Sequence, residues 1–338
     1  MAMLRAKLAA AGLVFLGAAS CASPLSSTTA ETTTMTTFED EWAAASAQMG
    51  QREYGRAREH FAAALEVAAD DDEVFSARAL LARMDSATKQ LGDARVAMDA
   101  ALAEAPETLK PRVVARLRQV EAIITREEGQ REEATQKFIA LYDFCMQNEL
   151  FDAAIDAAHH VAIAGDLQQQ VAWAKKGIAA AEAGDQRSWL AVLWNNLGVT
   201  YEELNQPADV LEAYEKARVY HYETGGPVQK LAADWAVGRA WRLNGDAAEA
   251  QRHIEVSLEA ARARYAEDPT PASAEWIAYG LQELGRTAQL AGEPEMALKL
   301  LEEARAKWTE AELESWTEGT QELDTELAEL RAELAKDA

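Results

Sequence analysis

Side chains able to do acid–base, nucleophilic or metal chemistry are few in this chain and poorly spaced for it. The adjacent histidines His159 and His160 are neighbours in sequence, and on a helix neighbours point about 100° apart, so the pair reads as ordinary helix-surface or groove residues and not as a metal site. The acidic run Asp70-Asp71-Asp72-Glu73 lacks the alternating ligands and the glycine of a calcium loop. At a helix start the same acids are favoured by the helix dipole, so they read as a cap. Of the two cysteines, Cys21 and Cys145, neither belongs to a CxxC pair. Cys145 lies among apolar residues at helical spacing and reads as a small buried hydrophobe. The chain carries no glycine-rich phosphate loop, no HExxH, no GxSxG and no nucleophile beside a plausible base. The expectation is a protein that is not an enzyme and uses no cofactor or metal.

The elements that would position these residues are helices. Hydrophobic residues make up 49% of the 338, enough for a core. Ala, Leu, Glu, Arg and Gln are strong helix formers, and the 8 prolines and 18 glycines fall mostly between apolar-periodic stretches. The net charge of −24 argues against a general nucleic-acid binder, because phosphates would be repelled. It argues equally against docking of the folded body on anionic lipid. An acidic, solvated outer face accounts for the balance.

The first residues form a separate region. Arg5 and Lys7 precede an apolar run from Leu8 to Ala19, too short to span a bilayer but suited to a signal sequence. It ends in Leu16-Gly17-Ala18-Ala19-Ser20-Cys21. Small residues before a cysteine resemble the lipobox of bacterial lipoproteins, although Ala18 stands where that family prefers leucine. The resemblance implies a signal peptide over 1–20 and a lipidated Cys21. Residue 22 is Ala and not Asp, which implies an outer-membrane lipoprotein facing the periplasm, in contact with membrane only through that anchor. Two lipid chains exceed the threshold for stable anchoring. Ordinary cleavage near Ala18 or Ala22, giving a secreted or soluble periplasmic protein, is the alternative. Residues 21–37 are dense in Ser and Thr and read as a flexible linker.

Beyond it the chain repeats. Trp194-x-x-Leu197-Gly198-x-x-Tyr201, followed by Tyr214 and Ala217, matches the tetratricopeptide pattern, and the chain resembles that family. Leu281, Leu284, Gly285 and Ala288 lead to Ala297, Leu301 and Ala304, while Gly238 and Trp241 lead to Ala250 and Ile254. Tyr54, Ala57, Phe61 and Ala64 mark a second helix near the start, and Leu81, Ala82, Ala94, Met98, Ala101 and Pro106 fall at the family's offsets. Ala122, Ala134, Phe138 and Leu141 follow the pattern less closely, and Ala158, Val161, Gln170, Ala174 and Gly177 least. The twentieth-place residues are Ala57, Ala94, Ala134, Gln170, Val210, Ala250 and Ala297. The resemblance implies an all-α, right-handed solenoid of about seven helical hairpins over 38–311. Residues 312–338, with Leu313, Trp316, Leu323, Leu327, Leu330 and Leu334 at helical spacing, read as a C-terminal capping helix. A short dimerising coiled coil is the rival.

In that family the concave face is lined by set places of the first helix of each pair. Carried over place by place, they are Trp42, Arg83, Arg116, Gln119, Arg126, His159, Asn195, Trp235, Arg239, Arg242, Tyr279, Gln282, Arg286 and Gln289. Arginine offers a planar fork to carboxylates, and Trp, Tyr and Arg are enriched at binding hot spots. The implied function is an envelope-anchored adaptor or scaffold that receives a protein or peptide segment in this groove. Two alternatives stand beside it: the arginines pair with groove acids such as Glu39, Asp152, Glu202 and Glu203, or the protein is a structural spacer or oligomer-forming subunit.

Overall fold

The structure, a computed structural model, describes residues 36–311 and 317–337. The signal peptide, Cys21, most of the linker, Leu313 and Trp316 lie outside the described residues. Within them the chain is helical with no strand, and it divides into two compact units at Gln186/Arg187.

The N-terminal unit holds α1 (Phe38–Gly50), α2 (Tyr54–Val67), α3 (Asp71–Ala87), α4 (Leu91–Glu104), α5 (Pro111–Glu127), α6 (Arg131–Gln147), α7 (Phe151–Ala164) and α8 (Leu167–Ala183). The C-terminal unit holds α9 (Arg187–Glu203), α10 (Pro207–Thr224), α11 (Pro227–Leu243), α12 (Ala247–Glu267), α13 (Pro271–Leu290), α14 (Pro294–Glu310) and α15 (Thr317–Asp337). Within each unit every helix packs on the next, and α3 with α5 and α11 with α13 also meet as alternate helices. Within each unit the odd-numbered helices therefore form a row of their own.

Every one of the twentieth-place residues is the fourth residue of an even-numbered helix. Six of them are fully buried, and Gln170 is half-buried, its amide donating to the Gly165 carbonyl at 3.1 Å. Twelve residues earlier stand Ala45, Ala82, Ala122, Ala158, Gly198, Gly238 and Gly285, all buried against the partner helix. Small size is the requirement there. A Cβ on Gly198 would lie 2.3 Å from the Tyr214 ring, and one on Gly238 would lie 2.5 Å from Ile254. The large residue of α10 or α12 fills the space that the glycine leaves.

Six of the seven hairpins turn through a left-handed residue: Arg52, Lys89, Gly129, Asn205, Gly245 and Gly292. After each, the next backbone N–H returns to a carbonyl five residues back, as in Gln90 to Asp85 (2.8 Å) and Glu293 to Ala288 (2.9 Å), which is the Schellman closure. The fourth hairpin, α7 and α8, departs from this. Gly165 stays in the extended region, and the left-handed turns appear on either side of the pair, at Glu149 and Asp185. This is the stretch where the sequence follows the family pattern least.

The last helix, α15, packs along one side of α14. Leu323, Leu327 and Leu330 are buried in one core with Leu301, Ala304 and Trp308, and Leu334 packs at its edge. The stripe faces its own unit, and the other described positions of α15 are mostly exposed. No helix among the described residues is long and apolar enough to cross a membrane.

Candidate functional site

The odd-numbered helices carry the residues that the sequence places on the inner face, and neighbouring helices of the row bring many of them together. In the C-terminal unit the geometry begins at Gly198. The Tyr214 ring over it is buried and donates its hydroxyl to Glu202 at 2.8 Å. Glu202 in turn accepts from Nε and Nη2 of Arg239 at 2.9 to 3.2 Å. Arg239 reaches on to Glu283 of α13 at 3.2 Å, and Arg242 also donates to Glu283. Arg286 makes a two-pronged bond to Glu326 of α15, at 2.8 and 3.0 Å. These ion pairs step along α9, α11, α13 and α15.

Glu283 is 2% exposed. Burial alone would push its carboxyl up, yet Arg242, Arg239 and Arg286 hold it down to about 2. Burial likewise works against the charged form of Arg239, but Glu283 and Glu202 override it and leave the guanidinium bound more firmly to its proton than usual. Three arginines and three glutamates balance, so the described contacts give this part of the face no excess of positive charge.

Aromatic rings close the same region. Tyr279 sits between Trp235, Trp276 and Trp308, with ring centroids 5.5, 5.4 and 4.7 Å away. Trp235 donates Nε1 to the Tyr279 carbonyl at 3.2 Å, and Trp308 donates to Gln282 at 3.1 Å. Asn195 and Trp235, expected on the groove surface, are 1% and 5% exposed. They lie beneath it, because their side chains are used in packing between helices. Gln289 is exposed.

The N-terminal unit arranges its residues differently. The Trp42 ring stacks on Phe38 and meets Phe61 edge-on, and the Arg116 guanidinium lies 4.8 Å from its centre. Arg116 also donates to Ser76 at 2.7 Å, so α1, α3 and α5 converge on one cation–π contact. Arg83 approaches Glu127 at 3.5 Å, and its Nη1 makes no hydrogen bond. Arg126 donates to Nδ1 of His160 at 2.8 Å. Burial and the nearby Arg83 charge weaken the hold of Arg126 on its proton, against the pull of Glu127. His159 and His160 are buried, not on the surface as expected, because α7 is enclosed by α5, α6 and α8. Among the described residues no cluster of His, Cys, Asp or Glu could hold a metal.

The acid partners were only partly visible in the sequence. Glu202 pairs with Arg239, as the groove-acid alternative expected, but Glu127, Glu283 and Glu326 take Arg83, Arg242 and Arg286, and Arg116 and Arg126 turn to Ser76 and His160. Glu283 is one helical turn before Arg286, and that spacing in an otherwise apolar helix was the available signal. Glu326 lies on the capping helix, outside the family's pattern.

No family model matches this sequence, and no curated protein matches it. Solved structures do. One is a signal-transduction ATPase of the STAND class with a tetratricopeptide repeat sensor, from Pyrococcus horikoshii, at a TM-score of 0.66 and 13% identity over 85% of this chain. The match covers 44% of that protein, so this chain spans less than half its length. Another is the apo form of RapI, at a TM-score of 0.63 and 9% identity, covering 80% of this chain and 76% of that one. At these identities the likeness shows the fold alone: this is an all-α protein with a tetratricopeptide-repeat-like fold.

Proposed function

We propose that this protein is an interaction adaptor, held in the cell envelope by a lipid on Cys21, whose inner face in the N-terminal unit receives a segment of a partner protein. The observation that carries this reading is the arginine row of that unit. Arg83, Arg116 and Arg126 share one helix row with Trp42, and of the three only Arg83 faces a glutamate in a described ion pair, at 3.5 Å from Glu127. In the C-terminal unit all three corresponding arginines are hydrogen-bonded to glutamates, whereas in the N-terminal unit Arg116 and Arg126 donate to the neutral partners Ser76 and His160, which leaves more of their charge for a partner. The tetratricopeptide repeat sensor named for the Pyrococcus protein is consistent with a recognition role for such a fold. The leucines of α15, which could have supported an oligomer-forming subunit, are spent on their own core.

The test is crosslinking in cells of the native host, followed by membrane fractionation and affinity capture, with Arg83→Glu/Arg126→Glu and Cys21→Ser in parallel. The charge reversal removes the partner and leaves helicity unchanged, whereas Cys21→Ser releases the protein from the membrane fraction. Equal capture by the double variant and the wild type would refute the surface, and unchanged fractionation of Cys21→Ser would refute the anchor.

A further inference from the structure

The contact between Arg126 and His160 is unusual because its acceptor is a group that can gain a proton. Arginine has five donors and no acceptor, while a neutral imidazole has one of each. The 2.8 Å bond from Arg126 Nη1 therefore requires a lone pair on His160 Nδ1. The ring proton is then on Nε2, which faces Asp156 Oδ2 at 3.3 Å. Asp156 is fixed from the other side by Gln119, which donates at 2.6 Å, and the His160 ring stacks on Phe138 at 4.5 Å. The imidazole is buried and pinned, whereas Arg126 is a long side chain at the inner face.

We propose that His160 is a positioning residue for Arg126, and that its protonation state decides whether this guanidinium is held in the fold or presented on the inner face. It rests on the reading of that face as the partner surface. Protonation of Nδ1 removes the lone pair and sets a second positive charge 2.8 Å from the guanidinium. The ring keeps its contact with Asp156, now as an ion pair, and remains stacked on Phe138. Arg126 is the member free to move. The charged and titratable groups around the pair are His159 and Asp156 on α7, Glu127 on α5, Arg83 on α3, and the Cys145 thiol on α6 beside Asp156. Arg83 favours departure of Arg126 and Glu127 opposes it. Once released, the fork offers its donors to a carboxylate or carbonyl oxygen of the bound segment.

The experiment uses the full chain labelled with 15N in histidine and arginine side chains, without any partner. While the ring is neutral, the His160 spectrum shows an unprotonated Nδ1 and a protonated Nε2. The Arg126 Nη signals, identified by their loss in Arg126→Lys, are separate because rotation is hindered. They collapse as the ring takes up its second proton. In His160→Gln, whose amide oxygen accepts without titrating, they stay separate at every pH. A proton on Nδ1 of the neutral ring, or Arg126 signals indifferent to protonation of the ring, overturns the proposal. If His160→Gln does not fold, the wild-type titration alone decides. Because no partner is present, failure here leaves the partner-surface reading intact, whereas failure of crosslinking removes the recipient of the released fork without altering the Nη readout, so the two failures are distinguishable.

Discussion

Glu283→Gln is the sharpest perturbation of the ion-pair ladder. Glu283 is 2% exposed and is shared by Arg239 and Arg242. The gap between its ordinary value of 4.5 and about 2 in the fold, at about 1.4 kcal/mol per pH unit, makes the ionised carboxylate worth about 3 kcal/mol. Breaking a buried pair by removing one partner costs about 3–5 kcal/mol on general grounds, so the two routes agree. Glutamine keeps the volume and one acceptor, but its amide confronts a guanidinium. The assay is urea denaturation followed by tryptophan fluorescence, since Trp235 and Trp308 adjoin the ladder. At neutral pH the variant should lose about 3 kcal/mol, read as a lower midpoint at unchanged slope. A carboxylate whose folded value is depressed stabilises fully above its unfolded value, and that contribution is lost as pH falls through the folded value. The difference between variant and wild type should thus shrink from pH 4.5 toward 2. A glutamine variant within about 0.5 kcal/mol of wild type at neutral pH, or a difference indifferent to acid, would refute the reasoning.

Further expectations concern the packing and the termini. Burial lowers His221 from 6.5 to about 4, and a histidine so depressed withdraws stability as pH falls across that window. A His221→Leu variant should show a flatter loss between pH 6.5 and 4 in thermal unfolding, and an unchanged slope would count against the assignment. Gly198→Val should cost at least about 2 kcal/mol by overpacking, because Tyr214 is buried and tied to Glu202, and a Tm equal to wild type would show that the ring can yield. Lys89 is exposed at φ 68, so Lys89→Gly should gain about 1 kcal/mol by relieving left-handed strain, measured in the same urea titration. A chain ending before Glu312 uncovers Trp308 and Leu301 and should self-associate in light scattering, whereas a monodisperse product would mean that α15 is not a cap.

The repeat was legible because its requirement is local and steric. Gly198, Gly238 and Gly285 stand where a Cβ would strike the next helix, and each sits twelve residues before a buried Val210, Ala250 or Ala297. Such a constraint reads directly from residue size and spacing. The leucine stripe of α15 was legible for the same reason, as a face with a period near that of a helix. What the sequence left open was the fourth hairpin, where Gln170 and Ala174 replace the usual buried pair and the left-handed turns shift to Glu149 and Asp185. The sequence also placed the arginines on one face without deciding what each would hold. Arg239, Arg242 and Arg286 meet glutamates 37 to 44 residues away, and Arg126 meets an imidazole 34 residues away. Only the tertiary structure decides such pairings, because the energy of a charge depends on which long side chains the packing of separate helices brings within reach, and on how much water it removes from between them.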